Sequence, residues 1–218
     1  MRTSTEPVTA RARMPLGGWQ SKVLDVFEVR IHGRGGQGVV TAAELLSVAA
    51  FLEDKYAQAF PTFGSERTGA PVVSFCRIDE RPIRLREPIV APDALIVQDP
   101  TLIHQVDLFA GVGSDAYVLV NTTRSLAELG LEDLKKRLDP ARILTVPASE
   151  FARKHVGRPL PNAALLGAFA GLCGVVSLAS VHAAIGRRFP GETAKRNAAA
   201  ASAAFSVVAR RELVPAHA

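Results

Sequence analysis

Apolar and polar positions along this chain fall into two rhythms, one of period two and one near 3.6, and their alternation predicts the elements. Glu28-Val-Arg-Ile-His32 alternates and reads as a strand running into a turn rich in glycine. Val40, Ala43, Leu46, Val48, Ala50 and Phe51 follow at helical spacing, ending near Glu53-Asp54. Tyr56 to Phe60 reads as a second strand, and Val72 to Asp79 with Pro82 to Arg86 as a β-hairpin whose wet face carries Arg81, Arg84 and Arg86. Asp93 to Asp99 and Ala116 to Asn121 are short apolar runs ending in polar residues, the pattern of strands buried on both faces of a parallel sheet, and Ile143 to Val146 reads as another buried strand. Leu126 to Leu138 predicts an amphipathic helix closed by Lys135, Lys136 and Arg137. Asn162 is placed to cap a helix over Ala163 to Val176 that is apolar all round, and Val181 to Phe189 and Glu192 to Arg211 complete a helical end. The fold class expected is α/β: an open, mostly parallel sheet with flanking helices, a β-hairpin insertion and a helical C-terminal third.

Residues 1 to 25 lack periodicity and the apolar run of a secretory signal, and read as a flexible or partner-bound arm with Trp19 as a candidate anchor. Residues 26 to 211 form one domain, and 212 to 218 a tail. The apolar helix is too short for a membrane span. Its Gly167 and Gly171, four apart, leave a face without bulk for packing against a sheet or another subunit.

Charge narrows the function classes. The net charge of +5 suggests nucleic acid, but Arg2, Arg11, Arg13 and Lys22 against Glu6 place most of the excess in the arm. The nearly balanced body is a weak electrostatic match to DNA or RNA. Cys76 and Cys173 stand alone, without C-x-x-C or histidine at ligand spacing, which disfavours a zinc site or iron-sulfur cluster on this chain. They read as buried thiols of a reducing cytosol, so the expected location is cytoplasmic.

The candidate chemistry lies in Gly33-Arg34-Gly35-Gly36-Gln37-Gly38. Glycines at this spacing between a strand and a helix let a ligand approach the backbone, and the free amides at the helix start favour a phosphate, pyrophosphate or carboxylate. Arg34 adds a full positive charge. The bland alternative is a tight strand-to-helix turn without a ligand. A P-loop requires Lys and Ser or Thr after the last glycine, where Val39 and Val40 stand. A nicotinamide site wants an acid closing the second strand, which here ends in Phe60-Pro61. Asp99, Asn121 and Thr122 fall at the carboxyl rim of the sheet, and Glu66 and Arg67 lie in a charged, glycine-rich loop suited to function.

His32-Gly-Arg-Gly-Gly-Gln-Gly38, Lys55-Tyr-Ala-Gln-Ala-Phe-Pro61, Phe63-Gly64 with Glu66-Arg67 and Gly69-Ala-Pro71, Val97-Gln-Asp-Pro100, and Pro161-Asn162 with Leu166-Gly167-Ala168 occur in one order. Together they resemble the gamma subunit, or gamma domain, of the 2-oxoacid:ferredoxin oxidoreductases, most closely the pyruvate type, over residues 26 to 211. Thr68 departs from the second Arg this family often carries, and the N-terminal arm is longer than usual. The resemblance implies an assembly that cleaves a 2-oxoacid with thiamine diphosphate and magnesium, passes electrons through 4Fe-4S clusters to ferredoxin or another acceptor, and hands the acyl group to coenzyme A. It places thiamine and clusters on alpha, beta and ferredoxin-like subunits, and gives this chain a coenzyme A contact through Gly33, Arg34, Gly35, Gly36, Gln37, Gly38, Glu66 and Arg67. No catalytic or metal-binding residue is assigned to it. The competing readings are a free-standing nicotinamide- or flavin-dependent oxidoreductase, a gamma subunit for an aromatic 2-oxoacid, and a nucleic-acid binder.

Overall fold

A computed structural model describes residues 26–62 and 68–212. The arm with Trp19, the loop residues Glu66 and Arg67, and the tail beyond 212 lie outside the described residues.

Six strands form a single sheet in the order β2-β3-β1-β4-β5-β6. β1 (Phe27–Arg34), β4 (Ala94–Val97), β5 (Tyr117–Asn121) and β6 (Ile143–Val146) run parallel. β2 (Tyr56–Pro61) and β3 (Pro71–Asp79) extend the sheet, β3 pairing antiparallel with both β1 and β2. The sheet is therefore open and mostly parallel, as the apolar runs predict.

The antiparallel pair has a different partner from the one expected. β3 pairs with β2 and β1, and Pro82 to Arg86 forms no strand. The carbonyls there are taken by a side chain instead: buried Arg77 donates to Leu85 O and Glu87 O. Proline at 82 and 88 also removes ladder donors.

Five helices flank the sheet with a sixth, single-turn piece: α1 (Val39–Phe51), α2 (Leu134–Arg137), α3 (Ala148–Val156), α4 (Asn162–Cys173), α5 (Leu178–Arg188) and α6 (Gly191–Glu212). One core joins the sheet to α1, α4, α5 and α6; a second, on the other face, gathers Leu95, Val97, Leu102, Leu108, Val118 and Val120 with Leu126 to Leu138. The expected long helix over Leu126 to Leu138 is reduced to α2. Gly130 sits at φ 71, and Leu131 N turns back to Leu126 O, so the segment folds as turns. Its leucines are buried all the same.

α4 is enclosed by its own chain. A Cβ on Gly167 would stand 2.5 Å from Ala201 C and 2.7 Å from its Cα, and one on Gly171 3.0 Å from Val208 Cβ. The glycine face is thus filled by α6 rather than by another subunit. Asn162 is the first helical residue and not the cap, which is Pro161; its Oδ1 accepts from Ala163 N. Among the described residues no helix is long and apolar enough to cross a membrane.

Candidate functional site

Three elements meet at the carboxyl ends of β1 and β4. The glycine turn leaves β1, and each glycine has a separate reason. A Cβ on buried Gly33 would come within 2.7 Å of Val39 Cγ2 and 3.2 Å of Gln98 Cβ, so only hydrogen fits between strand and helix. Gly36 at φ 90 and Gly38 at φ 74 adopt left-handed backbone, which a side chain would strain.

The turn is braced from inside by Gln37. Its Oε1 accepts from Arg34 N at 2.9 Å, while its Nε2 donates to Asp99 Oδ2 at 2.7 Å. Gly35 N donates to Ala70 O, and Gly69 N to Gly35 O, which ties the turn to the chain entering β3. Thr68 bridges Gly35, so Glu66 and Arg67 directly precede a residue paired with the turn.

Arg34 does not project freely. Its guanidinium pairs with Asp99 at 3.2 Å and donates to Gly69 O, Thr101 Oγ1 and Gln105 Oε1 at 2.8–3.0 Å. Asp99 in turn caps the 3₁₀ turn Pro100–His104 through Thr101 N. Burial pushes the Asp99 carboxyl up, but hydrogen bonds from Thr101 and Gln37 and the Arg34 charge outweigh it and hold the carboxyl below its ordinary range. Asp99 is therefore the hub that binds turn, arginine and 3₁₀ turn together.

What stays open is backbone. Among the described residues, the amides of Gly36 and Gly38 meet no acceptor, and the first helical bond of α1 is made only by Ala42 N to Gly38 O. The amides of Val39, Val40 and Thr41 precede the first intrahelical bond and carry the positive end of the helix dipole. In front of Gly36 the space is clear, with only Thr68 Cγ2 at 3.9 Å from a Cβ position. The start of α4 adjoins it: Asn162 Nδ2 lies 2.8 Å from where a Gly38 Cβ would be. Open amides at a helix start are the chemistry that favours an anion.

The other rim positions differ. Asn121 is spent on structure, donating to Gln98 O and Ser149 Oγ and accepting from Ser149 N. Thr122 closes the edge by donating to Val146 O.

Several polar residues here escaped the sequence reading. Gln98 is 1% exposed, and among the described residues its carboxamide has no hydrogen-bond partner. His32 is buried beneath the turn with Nε2 likewise unpartnered. Burial, and then the nearby Arg30 charge, lower its pKa to about 4, so the imidazole is neutral at pH 7. The available signal was a polar side chain inside each apolar run. Cys76 and Cys173 are free and buried, and burial raises both thiols. No group of three metal-ligating side chains occurs among the described residues.

Residues 28–207 match the family described as pyruvate ferredoxin/flavodoxin oxidoreductase. The chain is 49% identical over 180 residues to the pyruvate/ketoisovalerate oxidoreductases common subunit gamma of Pyrococcus abyssi, covering 83% of this chain and 96% of that one. It is 51% identical over 158 residues to pyruvate synthase subunit PorC of Methanosarcina barkeri, covering 72% and 84%. The crystal structure of pyruvate oxidoreductase subunit PORC from Thermotoga maritima superposes with a TM-score of 0.70 at 33% identity, covering 83% of this chain and 96% of that one. With the family match over residues 28–207 and these identities, this chain belongs to the pyruvate ferredoxin/flavodoxin oxidoreductase family, among its gamma, or PorC-type, subunits.

Proposed function

We propose that this chain serves a thiamine diphosphate-dependent, CoA-acylating 2-oxoacid:ferredoxin oxidoreductase of the pyruvate type, and that its glycine turn holds coenzyme A. The observation that carries the second part is the set of open amides of Gly36 and of Gly38 to Thr41, the Gln37 amide being bonded to Arg34 O. Coenzyme A brings a pyrophosphate and a 3′-phosphate, either of which suits that face, and its thiol takes up the acyl group. Gly33 lets strand and helix pack closely behind the turn, and Gly35 and Gly36 leave its front without a side chain. Arg34 and Gln37 hold the turn in shape around Asp99, and Glu66 and Arg67, which lie outside the described residues, are taken as further contacts from their place in the sequence just before Thr68.

In this reading thiamine diphosphate, magnesium and the 4Fe-4S clusters sit on alpha, beta and ferredoxin-like partner chains, and ferredoxin is reached through them. The likeness to a subunit named as common to pyruvate and ketoisovalerate oxidoreductases favours a gamma subunit that leaves the choice of oxoacid to its partners. A nicotinamide site is disfavoured by topology as well as by sequence. The strand after α1 is an edge strand separated from β1 by β3, so it does not bring a ribose-binding acid beside the turn.

Reconstitution tests the proposal. Partner chains assembled with this one should oxidise pyruvate with saturable dependence on coenzyme A. The same partners without it should lose that dependence or show a raised KM for coenzyme A. Equal KM values with and without the chain would refute the assignment.

A further inference from the structure

The start of α4 meets the start of α1 beside the glycine turn, where Val39 and Ala163 share one core. Asn162, the first residue of α4, is 6% exposed. Its carboxamide has a settled orientation. Oδ1 accepts from Ala163 N at 2.8 Å, so the other end, which faces Gly38, is the NH2 group. That Nδ2 stands 2.8 Å from the place a Cβ on Gly38 would take, so a glycine at 38 is what leaves it room.

The bond to Ala163 N is the one hydrogen bond of the Asn162 side chain among the described residues, so both N–H bonds of Nδ2 are unspent. Unlike the enclosed carboxamide of Gln98 and Nε2 of His32, this donor is not sealed in the interior. The polar side chains of the turn itself are already taken: Arg34 is paired with Asp99 and bonded to Gly69 O, Thr101 and Gln105, and Gln37 bridges Arg34 N and Asp99. A buried side chain from a different helix therefore sets a free donor against the same glycine that begins the row of open α1 amides.

We infer that Asn162 is a binding residue of the glycine-turn site, its Nδ2 donating to a phosphate oxygen of coenzyme A held by the α1 amides. An ionised phosphate offers only acceptors, so the donor end of a carboxamide matches it and the bond is charge-assisted. This inference rests on the proposed function and adds to it a side chain from α4, some 120 positions beyond the turn in sequence.

Titration calorimetry of coenzyme A on the assembled enzyme tests it, with Asn162→Asp and Asn162→Ser measured beside Gly36→Val. Asn162→Asp keeps an oxygen for Ala163 N and adds an acid to the first turn of α4, where the helix dipole favours negative charge. It also turns a carboxylate toward the site. Thermal stability should stay near the parent's while coenzyme A binds on the order of tenfold or more weakly. A merely structural asparagine would lose stability and affinity together. Asn162→Ser likewise offers an oxygen at the helix start but lacks the reach to Gly38, so it should bind about tenfold more weakly, and it decides the matter if Asn162→Asp disturbs α4. Parent-like affinity in either variant, folded and assembled, with Gly36→Val weakened, would overturn this inference alone. Parent-like affinity in Gly36→Val would overturn the glycine-turn reading and this inference with it.

Discussion

Replacing Gly167 by alanine should destabilise the chain, and the structure sets the scale. The new Cβ would lie 2.5 Å from Ala201 C and 2.7 Å from Ala201 Cα, below the 3.0 Å that real Cβ atoms keep. The obstacle is the α6 backbone, so no rotamer change relieves it and α4 must part from α6. Overpacking of this kind costs about 1–3 kcal/mol, and backbone contact puts it near the upper end. Removing glycine from a helix interior returns about 1 kcal/mol. The net is about 2 kcal/mol, or a fall in Tm of about 4–8 °C for a chain of this size. Gly171→Ala supplies the internal control. Its neighbours are side-chain atoms of Val208 and Phe205 at 3.0–3.3 Å, which can yield, so its Tm should stay within about 3 °C of the parent. Thermal unfolding followed by circular dichroism decides the matter. Equal Tm values for Gly167→Ala and the parent, or a larger loss for Gly171→Ala, would refute the packing of α4 on α6.

Three further outcomes are expected. As pH falls from about 6.5 to about 4, the unfolded chain binds a proton at His32 that the folded chain refuses, so stability drops by up to about 3 kcal/mol across that window. Denaturant midpoints at pH 7 and 4.5 should show this drop, with a shallower one in His32→Leu; identical slopes would exclude His32 as the cause. Asp99→Ala removes the cap on Thr101 N and the anchor of Arg34 and Gln37, and should lower stability by about 1–2 kcal/mol while raising the KM for coenzyme A in the assembled enzyme; a raised KM without loss of stability would mean that Asp99 meets the ligand directly. The purified single chain should bind no iron and oxidise no 2-oxoacid, and stoichiometric iron or measurable turnover would contradict the assignment of those cofactors to partner chains.

Local geometry was legible in the sequence where a residue type has few alternatives. Glycines at 33, 36 and 38 announce a turn because other residues resist that backbone or lack the room. The parallel strands were legible because burial on both faces leaves uninterrupted apolar runs. The leucines of Leu126 to Leu138 gave burial correctly and the element wrongly, since Gly130 and local turns prevailed over a helical period that packing also satisfies. α3 was missed.

Long-range pairing was not legible. Arg34 looked like a free cation for an anion, but Asp99, 65 positions later, takes it up once β4 lies beside β1. Arg30 and Arg77 stand at polar positions of alternating strands, yet each is buried against carbonyls of a loop that no local pattern identifies.

The central claim is that backbone amides of the glycine turn bind coenzyme A, and the most direct measurement is coenzyme A affinity by titration calorimetry on the assembled enzyme carrying Gly36→Val. At φ 90 a β-branched side chain strains the turn, and it intrudes on the clear space before the amides. Loss of charge-assisted contacts worth about 1.5–3 kcal/mol predicts roughly 10- to 100-fold weaker binding with assembly intact. Unchanged affinity in a fully assembled Gly36→Val enzyme would contradict the claim and place coenzyme A elsewhere.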